Sequence, residues 1–446
     1  MSDMLSIGAS GLKAYQVALN TVSENISNAG NVGYSRRVAT TTEVAATGLN
    51  STMNGLGSLV TGISRAGDYY AAAQVRTSGT DLTKTETSVT WLGRIESALD
   101  GSQLGTQMSS FFTAATTLAS DPTSLGARAS MLEAASGVAG AFSSTGTALD
   151  QVAQDLDSTA QSSVTSLNSA AATLAKINDG LSRATPGTSG AAALLDQRDQ
   201  VLEQMSALTD VTVDFDSIGR ATVRAGGAGG PTIVSGNQAS TVTYASNAGG
   251  AVAYSVVSGA TVQSLTPLGG ALAGIADSMQ HVVDAKAQLQ QVAQDFTDGV
   301  NGVQAAGRDL NGSAGQAMFA LDTSSGTAQV KMTLGDPSQI AAAAVGGGTR
   351  DNTNLQALAQ LRLSGNYENR VVQLTTTNAA TLAQRKAVAD AQGTIHDNAV
   401  AARDSASGVN LDTEAVDLMR FQQAYAATGR VIQAARDTIQ TILDIR

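Results

Sequence analysis

Large apolar side chains recur along this chain at alternating intervals of three and four residues, and that rhythm predicts helices over most of it. Near the start, Leu5, Leu12, Tyr15, Leu19, Val22 and Ile26 trace the heptad seam of an amphipathic helix. The seam gives way to a polar stretch, NISNAGNVGYSRR (25–37), where Asn28, Gly30 and Gly33 supply turn chemistry. The far end mirrors it. Leu418, Phe421, Tyr425, Thr428, Ile432, Ala435, Ile439 and Ile442 keep the same alternation, with Thr428 the one polar member. Asp412 and Glu414 at its beginning and Arg436 and Arg446 at its end match the signs that a helix dipole favours. The pattern predicts a helix from about Leu411 to the end, long enough for a coiled coil.

Two further seams lie between these ends. Leu149, Ala153, Leu156, Ala160, Ser163, Leu167, Ala170, Leu174, Ile177 and Leu181 form one, with a lapse at Ser163. Leu272, Ile275, Met279, Val282, Lys286, Leu289, Ala293, Phe296, Val300 and Val303 form the other, with a lapse at Lys286. Shorter helices are expected around Leu194–Leu208 and around Thr85–Leu99, the latter carrying Trp91. From Val211 to about Leu265 the period drops to two, through Val211, Val213 and Phe215, then Val242 and Tyr244, then Val252, Tyr254 and Val256. Glycine and serine clusters such as GGAGGP (226–231) separate these runs, so short strands and turns are predicted there, as a small β unit separable from the helices. A weaker β region is expected near Ala328–Thr333.

Composition refines this picture. Only five prolines permit long helices, and 4% aromatics point to thin helix–helix seams in place of one massive core. Charged residues make up 14% and apolar residues 42%, at a mean hydropathy of +0.01, which reads as globular. A net charge of −11 argues against a nucleic-acid binder or docking on anionic lipid, both of which need a basic face. No cysteine is present, which excludes disulfides, thiolate metal sites and thiol nucleophiles. MSDMLSIGASGLKAYQ has neither a cationic leader nor a continuous apolar run, so no cleaved secretory signal is expected. No apolar run approaches membrane-spanning length.

Candidate chemistry is sparse. His281 and His396 are far apart and read as polar positions on helices. No GxSxG elbow and no Gly-Lys pair of a phosphate loop occurs, and GGAGGP leads into the strand-like Thr232–Val234, not into a helix. Asp309-Leu310-Asn311-Gly312-Ser313 has the start of a calcium loop, but its twelfth position is Ala320, where a bidentate glutamate is needed. Asp155 and Asp157 read as a solvated helix face. Metal, cofactor and catalytic readings therefore have no residues to stand on. The terminal seams remain, and their spacing leaves two readings open: packing on each other within one monomer, or packing with other copies.

The N-terminal stretch SGLKAYQVALNTVSENISN, continuing to GYSRR (10–37), closely resembles the motif shared by flagellar rod, hook and hook-associated proteins. Asn25, Ser27, Asn28, Gly33, Tyr34 and Arg36 fall on its characteristic positions, while Gly30-Asn31 stands where the family usually carries Asn-Thr. The segment 407–446, SGVNLDTEAVDLMRFQQAYAATGRVIQAARDTIQTILDIR, resembles specifically the hook–filament junction type, the FlgK family. Gly408, Asn410, Leu411, Glu414, Phe421, Gln422, Gln423 and Tyr425 match that pattern. LLDQRDQVLEQMS (194–206) and Gly307-Arg308-Asp309-Leu310-Asn311-Gly312 are similar to two recurrent stretches of the same family, which often has histidine where this chain has Gln304. Compared with longer members, the segment from about Asp322 to Gly348 is short, so a large outer domain is missing.

The resemblance implies a mainly α fold with a β insertion. Its parts would be a terminal coiled coil (1–40 with 405–446) lining an inner tube, an elongated helical bundle (41–210 with 266–404) and a small outward β domain (211–265). It implies a structural subunit and not an enzyme, without cofactor or metal. Such a subunit is exported unfolded by the flagellar type III apparatus and sits at the hook–filament junction of the extracellular flagellum. The implied partners are further copies in an axial ring, the hook protein, a second junction protein and a small export chaperone on the C-terminal helix, with no nucleic acid and no membrane insertion. The terminal seam residues are the expected assembly interface. A hook or rod protein is the nearer alternative, and an enzyme or ligand-binding secreted protein the distant one.

Overall fold

A computed structural model describes residues 2–44, 57–247, 250, 252–324 and 327–444. Among them run nine α-helices: α1 (Ser2–Asn28), α2 (Tyr69–Asp100), α3 (Leu104–Ser120), α4 (Leu125–Arg183), α5 (Ser189–Leu208), α6 (Gly270–Ala306), α7 (Thr353–Gly365), α8 (Tyr367–Ser407) and α9 (Leu411–Asp444). A first hairpin, β1 (Arg37–Glu43) with β2 (Ser58–Arg65), follows α1. Between α5 and α6 lie two antiparallel sheets. One holds β3 (Val211–Phe215), β4 (Ala221–Ala225), β5 (Thr232–Ser235) and β6 (Gln238–Ala239) in that order. The other holds β7 (Thr241–Ser246), β8 (Val252–Ser258) and β9 (Thr261–Leu265). After α6 come two small pairings: β10 (Gly307–Arg308) with β13 (Ala343–Ala344), and β11 (Phe319–Asp322) with β12 (Gln329–Met332). The fold is mainly helical with inserted antiparallel sheets, as the periodicity predicts. Arg446, read as a cationic complement to the C-terminal dipole, lies outside the described residues.

The 59-residue α4 starts where the Ser124 hydroxyl accepts a hydrogen bond from the Ala127 N–H (3.3 Å), and it contains no proline. Its buried face runs through Leu149, Val152, Leu156, Ala160, Val164, Leu167, Ala171 and Leu174. The expected lapse at Ser163 is thus corrected. Three successive steps of four carry the seam to Val164, because a straight helix of 3.6 residues per turn drifts off a strict heptad. On α6 the expected position Lys286 is likewise replaced by buried Ala285, and Lys286 instead reaches Asp150 at 2.7 Å.

Two hydrophobic cores share α4. The first joins α2, α3, the N-terminal half of α4, α6, α7 and the start of α8. At its centre Phe111, Phe142, Phe296 and Phe319 meet, with Phe296 5.7 Å from Phe111, 5.9 Å from Phe142 and 5.5 Å from Phe319 between ring centroids. The second core packs Val164–Leu181 of α4 and Val201, Leu202 and Met205 of α5 against the inner faces of both sheets. Asn178, fully buried, stitches that junction by donating to the Ala221 and Gly236 carbonyls and accepting from the Ala221 N–H. The β strands therefore complete the helices' core and are not a detached unit.

The long contact between α2 and α8 is built differently. Its buried positions on α2 include Ser78, Thr85 and Ser88. Each hydroxyl bonds the carbonyl four residues earlier (Gln74, Asp81 and Lys84), which satisfies it within its own helix and lets it pack as a small side chain. His396 faces Ser78 across this seam at 3.1 Å.

Candidate functional site

The terminal helices α1 and α9 pair antiparallel within one chain. Close approach comes from small residues: a Cβ added at Gly8 would meet Ile432 at 2.6 Å, and one at Gly11 would meet Thr428 at 3.0 Å. Ala14, Ala18, Thr21, Val22 and Asn25 continue the buried stripe on α1, opposite Glu414 and Ala435 on α9. The packing line is thus one residue off the expected line of large apolar side chains. Of the expected interface, Val22 is buried, while Leu5, Leu12, Tyr15, Leu19, Ile26, Leu418, Phe421, Ile432 and Ile439 are half-buried. Tyr425 and Ile442 are 40% and 53% exposed. Tyr15 and Phe421 approach to 6.4 Å between ring centroids. Val416 and Met419 add to the apolar surface left open on α9.

At its base the pair is locked by a polar clamp. Asn25, 1% exposed, donates from Nδ2 to the Arg37 carbonyl (2.8 Å) and to Glu414 Oε2 (3.0 Å). Its Oδ1 accepts from the Arg37 N–H (2.9 Å) and from the Tyr34 hydroxyl (2.9 Å), so all four of its hydrogen-bonding capacities are used. Glu414 is fully buried and accepts from Arg36 Nε at 2.6 Å; Arg36 also reaches Asp417 at 3.4 Å. Asn410 caps α9, its side chain accepting from the N–H groups of Asp412 (3.0 Å) and Thr413 (3.2 Å). Burial pushes the Tyr34 phenol up to about 12, the charge of Arg37 opposing it.

A second layer ties this clamp to α5. Arg37 and Arg65 lie directly opposite each other across the first hairpin, a like-charge pairing that would repel. Asp196 sits between them, 3.3 Å from Arg37 and 2.6 Å from Arg65, and Asp199 takes the other arm of Arg65 at 2.6 Å. The 194–206 stretch therefore anchors the first hairpin, and through Arg37 the clamp, to α5. Gly33 has φ +79 and presses on Gln200, whose side chain would stand 2.3 Å from a Cβ there. A Cβ at Gly408 would meet the Asp404 carbonyl at 2.4 Å.

Of the family-pattern residues, Asn25, Tyr34, Arg36, Asn410 and Glu414 converge in the clamp, and Gly33 and Gly408 shape its approaches. Asn28 closes α1, donating to the Glu24 carbonyl at 2.8 Å. Ser27, Leu411, Gln422 and Gln423 take no part and are exposed. The spacing of large apolar residues misses Gly8, Gly11, Ala14 and Ala18; the signal that finds them is the same three-and-four spacing carried by small residues. Arg37, Arg65, Asp196 and Asp199 are also missed, because only the fold brings them together.

Among the described residues no group of three histidine, aspartate or glutamate side chains converges to hold a metal. No helix of the described residues is long and apolar enough to cross a membrane.

Three family models match the chain. Residues 92–319, just over half of it, match the flagellar hook-associated protein FlgK helical domain. Residues 5–34 match the flagella basal body rod protein family, and 402–445 the flagellar basal body rod FlgEFG protein C-terminal family. Flagellar hook-associated protein 1 of Escherichia coli (strain K12) is 25% identical over 562 aligned positions that cover 100% of both chains. The same protein of Salmonella typhimurium is 26% identical over 568, again 100% of both. Among solved structures, the flagellar hook junction protein FlgK from Burkholderia pseudomallei aligns at a TM-score of 0.50 and 24% identity, over 56% of this chain and 46% of that one, a likeness of fold. With rod-type segments at both ends and the junction-type helical domain between them, the chain belongs to the FlgK family of flagellar hook-associated proteins.

Proposed function

We propose that the chain is the structural subunit that joins hook to filament in the bacterial flagellum, and that it assembles through the α1–α9 pair. The observation that carries this reading is the division of labour on that pair. Small residues and a buried clamp hold the two helices together, while Leu5, Leu12, Tyr15, Leu19, Tyr425 and Ile442 remain partly or largely open. An apolar rim on a tethered helix pair suits burial against further copies of the same chain, stacked around an axis. The expected assembly residues are then the rim of that contact, with Leu12, Leu418, Phe421, Ile432 and Ile439 bridging the inner seam and the rim.

On this reading residues 1–40 with 405–446 form the inner layer, 41–210 with 266–404 the helical layer, and 211–265 the outward sheets. The partners are other copies in the ring, the hook protein on one side and a second junction protein on the other, with a small export chaperone on α9 before assembly. Export would be by the flagellar type III apparatus. Rod-type matches at the two ends are shared with hook and rod proteins; the FlgK-type helical domain match favours the junction over those positions.

Deleting the gene and imaging the cells tests the proposal. Intact hooks without filaments, with flagellin shed into the medium, are expected. Normal filaments, or loss of the hook itself, would reject the junction assignment.

A further inference from the structure

Where the two ends of the chain meet the bundle, a cleft of about 270 Å³ opens between residues 33–35, the start of α2, α5 and residues 403–408. Four arginines line it, and three are committed. Arg65 holds Asp196 and Asp199, Arg198 holds Asp199 and the Gly219 carbonyl, and Arg403 holds Glu203 and Asp404. The fourth, Arg76, is 7% exposed, and its guanidinium makes no hydrogen bond and no ion pair among the described residues.

Its isolation is not a sealed defect. Buried nitrogen and oxygen atoms wholly cut off from solvent and without partner include Arg37 Nε and Arg224 Nε, but none of Arg76. The Arg76 nitrogens are therefore open to solvent, on a side chain that lines both this cleft and a neighbouring one beside Tyr69, Ser206 and Asp210. The carboxylates around it are spent elsewhere: Asp199 and Glu203 each carry another arginine, and Asp68 caps α2 by accepting from the Tyr70 and Ala71 N–H groups. Burial lowers the guanidinium's affinity for its proton, and Asp199 and Glu203 offset that only from a distance. A guanidinium offers five N–H donors in a planar fork and cannot shed its charge, so leaving it desolvated and unpaired is costly.

We propose that this cleft is an oxyanion site with Arg76 as its charged receptor. The Arg fork matches a carboxylate or a phosphate in bidentate fashion. The cleft lies below the roughly 300–1,000 Å³ of ordinary small-molecule pockets, which favours one small group over a larger ligand. Two sources supply that chemistry: a free inorganic anion, or a carboxylate side chain of a second copy of this chain, which carries 37 acidic residues against 26 basic ones. Either would bridge the chain's ends to the bundle, because the walls come from both.

The test uses the full chain. Melting midpoints are recorded in rising sodium phosphate, and separately in sodium acetate, against sodium chloride at equal ionic strength; self-association in chloride is followed by sedimentation velocity. A saturable upward shift that Arg76→Met abolishes identifies a free anion as the ligand. No shift, together with self-association weakened by Arg76→Met and partly restored by Arg76→Lys, identifies the carboxylate of a second copy. If the Arg76→Met chain does not fold, Arg76→Lys takes its place in both arms and is expected to raise the half-saturating phosphate concentration or to weaken self-association. Identical behaviour of wild type and variant in both arms overturns the proposal.

Discussion

Replacing Glu414 with alanine removes the one carboxylate that is fully buried in the clamp. Two donors lose their acceptor: Arg36 Nε at 2.6 Å and Asn25 Nδ2 at 3.0 Å. Breaking a fully buried ion pair costs about 3–5 kcal/mol. The Arg36 side chain is 30% exposed and can recover part of its hydration, and Asn25 keeps the Arg37 carbonyl, so the loss falls to about 2–3 kcal/mol. At about 1.4 kcal/mol per tenfold, opening of the helix pair becomes about 30- to 150-fold more frequent. Neither hydrophobic core contains Glu414, so both should keep their stability. Hydrogen exchange resolved by peptide reads this directly. Amides at the base of α1 and the start of α9 should accelerate by that factor, while those of α4 and α6 stay unchanged. Glu414→Gln, which retains an acceptor, should produce a smaller acceleration. Acceleration below about threefold, or equal acceleration across α4, would refute the assignment of Glu414 as the local lock.

Ile432→Glu loses roughly half of the 1.5–3 kcal/mol that full burial of an isoleucine brings, and sets a carboxylate against Gly8. Such cells should bear bare hooks, whereas Gln433→Glu, one residue on and exposed, should still bear filaments in electron micrographs. The raised Tyr34 phenol favours the folded clamp fully below the ordinary value near 10, and that contribution fades as pH climbs through about 12. Tyrosinate absorbance should accordingly lose one titration near 12 in Tyr34→Phe; loss of a titration near 10 would contradict the buried placement. Exchanging Val211–Leu265 for a short linker strips the cover from Leu167, Leu174, Leu202 and Met205. At about 1.5–3 kcal/mol each, that rivals the whole stability of a domain. Circular dichroism should show helix lost beyond the excised strands; unchanged helix content would show that the sheets are dispensable.

What the sequence made legible depended on side-chain size. The seams of α6 and α9 stand out because Leu, Ile, Met and Phe repeat along them, and the strands from Val211 to Leu265 because Val and Tyr alternate. The helix around Trp91 is visible only where large residues begin, although α2 starts at Tyr69, since its first half packs through serine and threonine. The 41-residue α8 is glimpsed only at His396 and its extent is not read: few large apolar side chains mark it, and its contact with α2 is carried by small and polar groups. β1 is missed because RVATTTE offers little alternation. In the candidate site, resemblance pointed to Asn25, Tyr34, Arg36 and Glu414 but gave no reason for them. Their role emerges only when residues 378 and 389 apart in the chain meet at hydrogen-bond distance.

The unbroken α4 has a mechanical consequence. At about 1.5 Å per residue its 59 residues span roughly 90 Å, and a single ladder of backbone hydrogen bonds passes from the phenylalanine-rich core to the core shared with the sheets. The two cores are thus mounted on one spar, with no hinge between them. A bending load applied at the sheet end is delivered to the phenylalanine end as a tilt of the whole body. If copies stack around an axis as proposed, any change in the curvature of the stack must then be taken up elsewhere. In such a stack the compliant parts would be the joints between copies and the terminal helix pair, whose seam of glycine and alanine can shift without tearing large side chains from their sockets.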